Sequence, residues 1–298
     1  MRKKQFSGIV SLFACTFIWG TAFIAQSSGM DHVGPFTFQA IRCALAVTAL
    51  VVAIWLSDKT RKVSFLRGWQ DKQLWKAGIL CGIPLFFAVN LQQVALQFTT
   101  VGKAGFLTAM YIVLVPILGL FLRRRFSVMA PVSVAIAVVG LYLLSFRGNV
   151  SINSGDLLLL GSALMFAIQI LFVDHYAPGV DALRLNCLQA AVCAIGSVLV
   201  VPFTETVSFQ GVLACWLPLC YAGVLSMGAA YSLQIIGQKH VEPTAASLIM
   251  SLEAVFSAIF GWLLLHESMS GQELLGCGLL FLAVILAQLP IPQKTESA

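Results

Sequence analysis

Apolar residues fill this chain in long runs, each parted from the next by a short polar or Gly/Pro-containing break. Cut at those breaks, the sequence gives ten segments: 6–26, 36–56, 76–97, 104–122, 128–146, 155–173, 183–203, 212–236, 243–265 and 271–290. A bilayer core about 30 Å thick is crossed by a helix of about 20 apolar residues, and the segments approach that length. Membrane strands alternate lipid-facing and lumen-facing residues over about ten positions. These runs do not alternate, so helices that satisfy their own backbone hydrogen bonds are expected. The pattern predicts an all-α integral membrane protein with ten transmembrane helices.

Composition removes the soluble alternative. The chain is 59% hydrophobic and 10% charged, against about 25% charged in an ordinary soluble domain, and its mean hydropathy is +0.92. The few cations are placed unevenly. Arg2, Lys3, Lys4, Lys59, Arg61, Lys62, Arg67, Lys72, Lys76, Arg123, Arg124, Arg125, Arg184, Lys239 and Lys294 fall on the side of the N-terminus, fifteen in all. Lys103 and Arg147 fall on the other side, and Arg42 lies inside a segment. Cytoplasmic loops retain Lys and Arg, so a multi-pass plasma (inner) membrane protein with both termini cytoplasmic is expected. Contact with anionic lipid headgroups accounts for the net charge of +6, and no nucleic-acid partner is needed. Met1-Arg2-Lys3-Lys4 ahead of an apolar stretch has the form of a signal peptide. The stretch runs on to about Gln26, however, which favours an uncleaved first helix.

Self-comparison shows a repeat. Leu107-Thr108-Ala109-Met110-Tyr111 overlies Met250-Ser251-Leu252-Glu253-Ala254 at an offset of 143 residues, which carries Leu122-Arg123-Arg124-Arg125 onto Leu265-His266-Glu267-Ser268. Leu91-Gln92 and Leu233-Gln234 sit within a residue of the same register, and Arg42 falls near Gln189. Two halves are expected, 1–147 and 154–290, with a polar hinge from Arg147 to Asn153. Five spans per half is an odd number, so the second half threads the membrane in the opposite sense and the halves are inverted repeats. Such repeats underlie alternating access in many transporters.

Phe17-Ile18-Trp19-Gly20-Thr21-Ala22-Phe23, Ala104-Gly105-Phe106-Leu107 and Leu263-Leu264-Leu265-His266-Glu267-Ser268-Met269-Ser270, in that order and spacing, resemble the EamA family of the drug/metabolite transporter superfamily. The resemblance covers the chain as two five-helix units. It implies a secondary permease, often an exporter of amino acids or other metabolites, that hydrolyses no ATP and has no universal catalytic motif. The sequence departs from the family pattern at Arg123-Arg124-Arg125, where a Gly-Glu-Arg-like turn is common, and at Ala254, where a proline often follows the glutamate.

Ionisable groups at membrane depth cost at least ~2.5–3.5 kcal/mol on insertion scales and invite a functional reading. Only Glu253 and Arg42 lie well inside segments. Glu253 is either a site for a proton or a substrate amine, or a hydrogen-bonding strut between helices. Arg42 is an anchor for an anionic group, a salt-bridge partner, or a side chain reaching the interface. The third segment carries Asn90 and Gln92, which either line a cavity or cross-link helices. Gln234 and Gln189, the repeat counterparts of Gln92 and Arg42, face the same choice. Trp19, Tyr111 and Tyr231 lie deep enough to stack on an apolar substrate or simply to pack.

The eight cysteines lie in apolar runs without metal-ligand spacing, and the histidines sit at loops or span ends. No P-loop, G-x-S-x-G or H-E-x-x-H is present, so neither a cofactor nor a metal is expected. The expected partners are the lipid bilayer, a small-molecule solute and protons as a coupling ion. An integral-membrane transferase or hydrolase, or a non-transporting sensor, are the alternatives. An enzyme would gather acids or histidines on neighbouring helix ends, and no such cluster is visible.

Overall fold

The structure, a computed structural model, describes residues 2–99, 101–122, 129–145, 153–265 and 270–288. Arg123, Arg124, Arg125, Arg147, His266, Glu267 and Lys294, with all of the hinge except Asn153, lie outside the described residues. Among the described residues every regular element is helical. In order these are α1 (Arg2–Gly29), α2 (Pro35–Arg61), α3 (Lys72–Ala95), α4 (Val101–Thr108), α5 (Tyr111–Phe121), α6 (Ala130–Ser145), α7 (Ser154–Tyr176), α8 (Ala182–Thr204), α9 (Phe209–Ala214), α10 (Trp216–Cys220), α11 (Tyr231–Gln238), α12 (Pro243–Met250), α13 (Glu253–Leu265) and α14 (Gly271–Ala287). A 3₁₀ turn at Leu66–Trp69 precedes α3, and a π-helical stretch, Tyr221–Ala230, joins α10 to α11.

Eight helical stretches are long and apolar enough to cross a bilayer, and α6 and α14 are shorter apolar helices of 16 and 17 residues. The chain is a multi-pass membrane protein. Three predicted segments differ in detail from the helices that form. The fourth is divided at Ala109-Met110 and the ninth at Ser251-Leu252. At each joint the chain tightens to a bond three residues back, Met110 N–H to the Leu107 carbonyl at 3.2 Å and Leu252 N–H to the Ile249 carbonyl at 3.1 Å. Shifted by the 143-residue offset, the first joint falls within one residue of the second. The eighth segment contains the π-helical stretch.

Helix ends are closed by local chemistry, since exposed backbone groups are costly near lipid. Asn153 with Asp156 and Ser270 with Glu273 form capping boxes at the starts of α7 and α14. Asp71 and Asp181 cap α3 and α8, and Pro35 and Pro243 open α2 and α12. The start of α2 borrows its cap: Phe36 and Thr37 N–H groups donate to the two carboxylate oxygens of Glu205, each at 2.8 Å. At the other end of the same helix, Asp58 pairs with Arg184 near the start of α8. The Arg184 guanidinium also lies 5.6 Å from the Trp69 ring. Lys239, just past α11, donates to the Val180 carbonyl at 2.6 Å, and burial lowers its pKa.

These contacts show that α2 and α8 run antiparallel. So do α6 and α14, because Gln272 near the start of α14 donates to the Leu143 carbonyl near the end of α6 at 3.1 Å. The most extensive packings are α2 on α8 and the π-helical stretch, α6 on α14, α3 on α7 and α8, α1 on α13, α11 and the π-helical stretch, and α5 on α7. Numbered by segment, the second meets the seventh and eighth, the fifth the tenth, the third the sixth and seventh, the first the eighth and ninth, and the fourth the sixth. Exchanging the halves leaves that pattern unchanged. Glycines let the backbones close up. At Gly140 a methyl group would lie 2.9 Å from the Gly276 carbonyl oxygen, and at Gly276 one would lie 2.6 Å from that of Gly140.

Candidate functional site

The joints of the two divided segments meet at a narrow cavity of about 40 Å³ in the middle of the bundle. Seven residues singled out from the sequence line it: Trp19 from α1, Arg42 from α2, Gln92 from α3, Tyr111 at the start of α5, Tyr231 and Gln234 from α11, and Glu253 at the start of α13. Ala22, Phe23, Gln26, Thr108, Phe166, Ile170, Ser226 and Met250 complete the wall.

The wall divides by chemistry. Aromatic rings form one surface: Trp19 and Tyr231 meet edge to face with centroids 4.8 Å apart, and Tyr111 and Phe166 do so at 6.4 Å. The Trp19 indole N–H donates to the Ser226 carbonyl at 3.4 Å, inside the π-helical stretch. That stretch leaves carbonyls out of α-helical register, and the Asn186 amide donates to those of Met227 and Gly228 at 3.0 and 2.8 Å. A π insertion of this kind commonly accompanies a functional site. Gly223 within it packs on the α2 backbone, where a methyl group would lie 2.7 Å from the Arg42 carbonyl oxygen. The eighth segment is thereby pressed against α2 at the residue that carries the cavity's guanidinium.

The polar groups are only partly satisfied. Tyr111 O–H donates to Glu253 Oε1 at 3.3 Å, joining the two divided segments across the bundle. Gln92 Nε2 donates to Thr108 Oγ1 at 3.2 Å. Gln234 Nε2 donates to Gln169 Oε1 at 3.2 Å, and Gln169 Nε2 to Gln189 Oε1 at 3.0 Å, a chain of amides leading out of the cavity. Arg42 is 2% exposed, and its Nε and Nη1 find no hydrogen-bond partner. Gln26 Oε1 and Gln234 Oε1 are also unpartnered. Buried polar groups are normally satisfied; of the sixteen unpartnered side-chain atoms among the described residues, these four are the ones a molecule in the cavity could complete.

Two candidates sit elsewhere. Asn90 accepts from Ser197 Oγ at 3.2 Å and donates to the Phe86 carbonyl at 2.8 Å, cross-linking α3 to α8. Gln189 lies at the far end of the amide chain, outside the wall. Gln26, Thr108, Ser226 and Gln169 were not singled out from sequence. Gln26 and Gln169 are polar residues inside apolar runs, the same signal that drew attention to Gln92. Thr108 lies in the segment that aligns with Ser251. Among the described residues no group of three or more His, Cys, Asp or Glu is placed to hold a metal.

The model of the EamA-like transporter family matches the chain twice, over residues 6–146 and 153–289. The chain belongs to that family. The cavity wall draws eight residues from the first match and seven from the second. An uncharacterized transporter of Archaeoglobus fulgidus is 30% identical over 97% of this chain and 88% of its own length. The uncharacterized transporters YwfM and YoaV of Bacillus subtilis are 25% and 22% identical, each over at least 95% of both chains. A solved crystal structure superposes with a TM-score of 0.79 at 20% identity, covering 95% of this chain and 96% of the other, which establishes a shared fold.

Proposed function

We propose that this membrane protein is a secondary permease for small organic metabolites, with ten spans in two inverted five-helix halves, 1–147 and 154–290, that rock about the central cavity. The observation that carries this reading is the cavity itself, which both family matches share almost equally and whose acid is bonded across the two divided segments. Substrate sites at the interface of two repeats, flanked by discontinuous helices, are the recurring arrangement of secondary transporters. The antiparallel packing of α2 on α8 and of α6 on α14, repeat partners in each case, supports inversion. The fifteen-to-two Lys/Arg asymmetry supports cytoplasmic termini in the plasma membrane, and the family resemblance favours export.

Glu253 is the coupling residue in this reading. Among the described residues no cation pairs with it, and an ionised carboxylate at that depth without a partner is costly. The group is suited to hold a proton in one orientation and release it in the other. Flux of a mixed metabolite pool from proteoliposomes, followed by mass spectrometry with and without a pH gradient, tests the proposal. Gradient-driven flux is expected from the parent protein. Glu253→Gln, which keeps the shape and removes the exchangeable proton, is expected to abolish the gradient's effect while leaving exchange between the two sides. Failure of every solute to move refutes the permease, and gradient-driven flux in a well-folded Glu253→Gln variant removes the coupling role.

A further inference from the structure

We infer that Arg42 anchors a carboxylate of the transported solute, so that the cargo is a small organic monoanion with an aromatic or apolar body. The inference rests on the permease reading and adds the substrate class. Among the described residues Arg42 is the sole cation on the cavity wall; it is almost wholly buried and has two guanidinium nitrogens without a partner. Among the described residues no carboxylate lies within ion-pair distance of it; the nearest candidate by position, Glu253, engages Tyr111 instead. A buried cation with free donors lacks an acceptor of opposite charge. The planar fork of a guanidinium matches the two oxygens of a carboxylate.

The rest of the wall narrows the class. A single cation balances one negative charge, so a dianion such as a phosphate ester would leave a charge uncompensated at membrane depth. With Glu253 holding its proton, a cationic solute would be repelled. The Trp19–Tyr231 and Tyr111–Phe166 pairs present ring edges and faces that suit an aromatic or apolar body. Gln189, the nearest counterpart of Arg42 in the second half, is neutral, with its carbonyl oxygen already taken by Gln169. Anion recognition is thus confined to the first half, while the acid that would carry the proton is in the second.

Three probes that differ only in the head group decide the matter: 3-phenylpropionate, 3-phenylpropionamide and 3-phenylpropylamine, bound to the full-length protein in nanodiscs and measured by calorimetry. The anion is expected to bind about tenfold or more tighter than the amide and the amine. Arg42→Gln is expected to reduce the anion to the level of the amide, and Arg42→Lys to keep part of the preference. An amide or amine that binds the parent protein as well as the anion overturns the carboxylate anchor, as does failure of all three to bind, or unchanged anion binding in Arg42→Gln. Ala22→Phe and Thr108→Phe each put a ring into the cavity and separate this result from the permease reading. If they abolish binding of an amide or amine that matches the anion, the cavity stands and the carboxylate class falls. If monodisperse protein of either variant binds as the parent does, the probes sit elsewhere and the permease reading loses its site.

Discussion

The central cavity and the seam between α6 and α14 are both made where one half of the chain meets the other, yet they are opposites in chemistry. At the seam, glycine backbones touch and Leu141, Leu144, Leu280 and Val284 are buried around them. Within the two helices Ser133 Oγ is left unpartnered. At the cavity large aromatic rings line the wall, and amide and guanidinium groups are left unsatisfied. Helices in lipid gain little from apolar burial and associate through close packing and hydrogen bonds. A seam with no gap fixes the two halves to each other; in the proposed permease, the gap with unmet polar groups is where the halves part and a solute enters.

Added volume breaks the comparison most severely. Gly276→Leu would drive a side chain into the Gly140 carbonyl and the Leu144 backbone, and overpacking of this kind costs about 3 kcal/mol. A marked fall in Tm of the detergent-purified protein is expected, with poor recovery. At the cavity, Ala22→Phe turns its ring toward the open side of the wall rather than into backbone, so Tm should fall less than in Gly276→Leu while transport is lost. Equal stability losses in both variants would mean that the cavity wall carries the bundle as much as the seam does. Gly223→Ala falls between these extremes. Its methyl group meets the Arg42 carbonyl at 2.7 Å, a strain of about 1–2 kcal/mol if the π-helical stretch yields. Flux should fall by more than that stability loss explains, because the displaced residue is Arg42.

The long apolar helices were legible because lipid demands about 20 apolar residues per crossing, and that demand is written continuously along the chain. The divided segments were not. The chain through Ala109-Met110 and Ser251-Leu252 carries no proline or glycine at the joint, and one tightened turn leaves hydropathy unaltered. The π-helical stretch is hidden for the same reason. Glu205 and Asp58 read as peripheral acids, which they are by depth. Their work at the two ends of the α2–α8 pair depends on antiparallel packing that no local pattern reveals. The cavity was legible to the extent that polar residues stand out in apolar runs. Which of them face one another is set by helix rotation.

That rotation gives the finest prediction. Asn90 and Gln92 are two positions apart on α3, about 200° around the helix axis, so one face cannot hold both. The structure gives Gln92 to the cavity and Asn90 to α8. Each makes one side-chain hydrogen bond across elements, to Thr108 and to Ser197 respectively. Interhelical bonds of this kind in membranes average about 0.6 kcal/mol, so both losses of stability are small. Function should separate them. Asn90→Leu is expected to lower Tm slightly and leave flux at the parent level, since Leu fits a buried seam that no solute visits. Gln92→Leu is expected to lower Tm no more than that, because its side chain borders empty space, yet to change solute affinity severalfold by replacing a donor and an acceptor on the wall. Paired measurements of Tm and flux on the two variants check the assignment. An effect on flux from Asn90→Leu equal to that from Gln92→Leu would mean that α3 turns about its axis during transport and shows both faces to the solute.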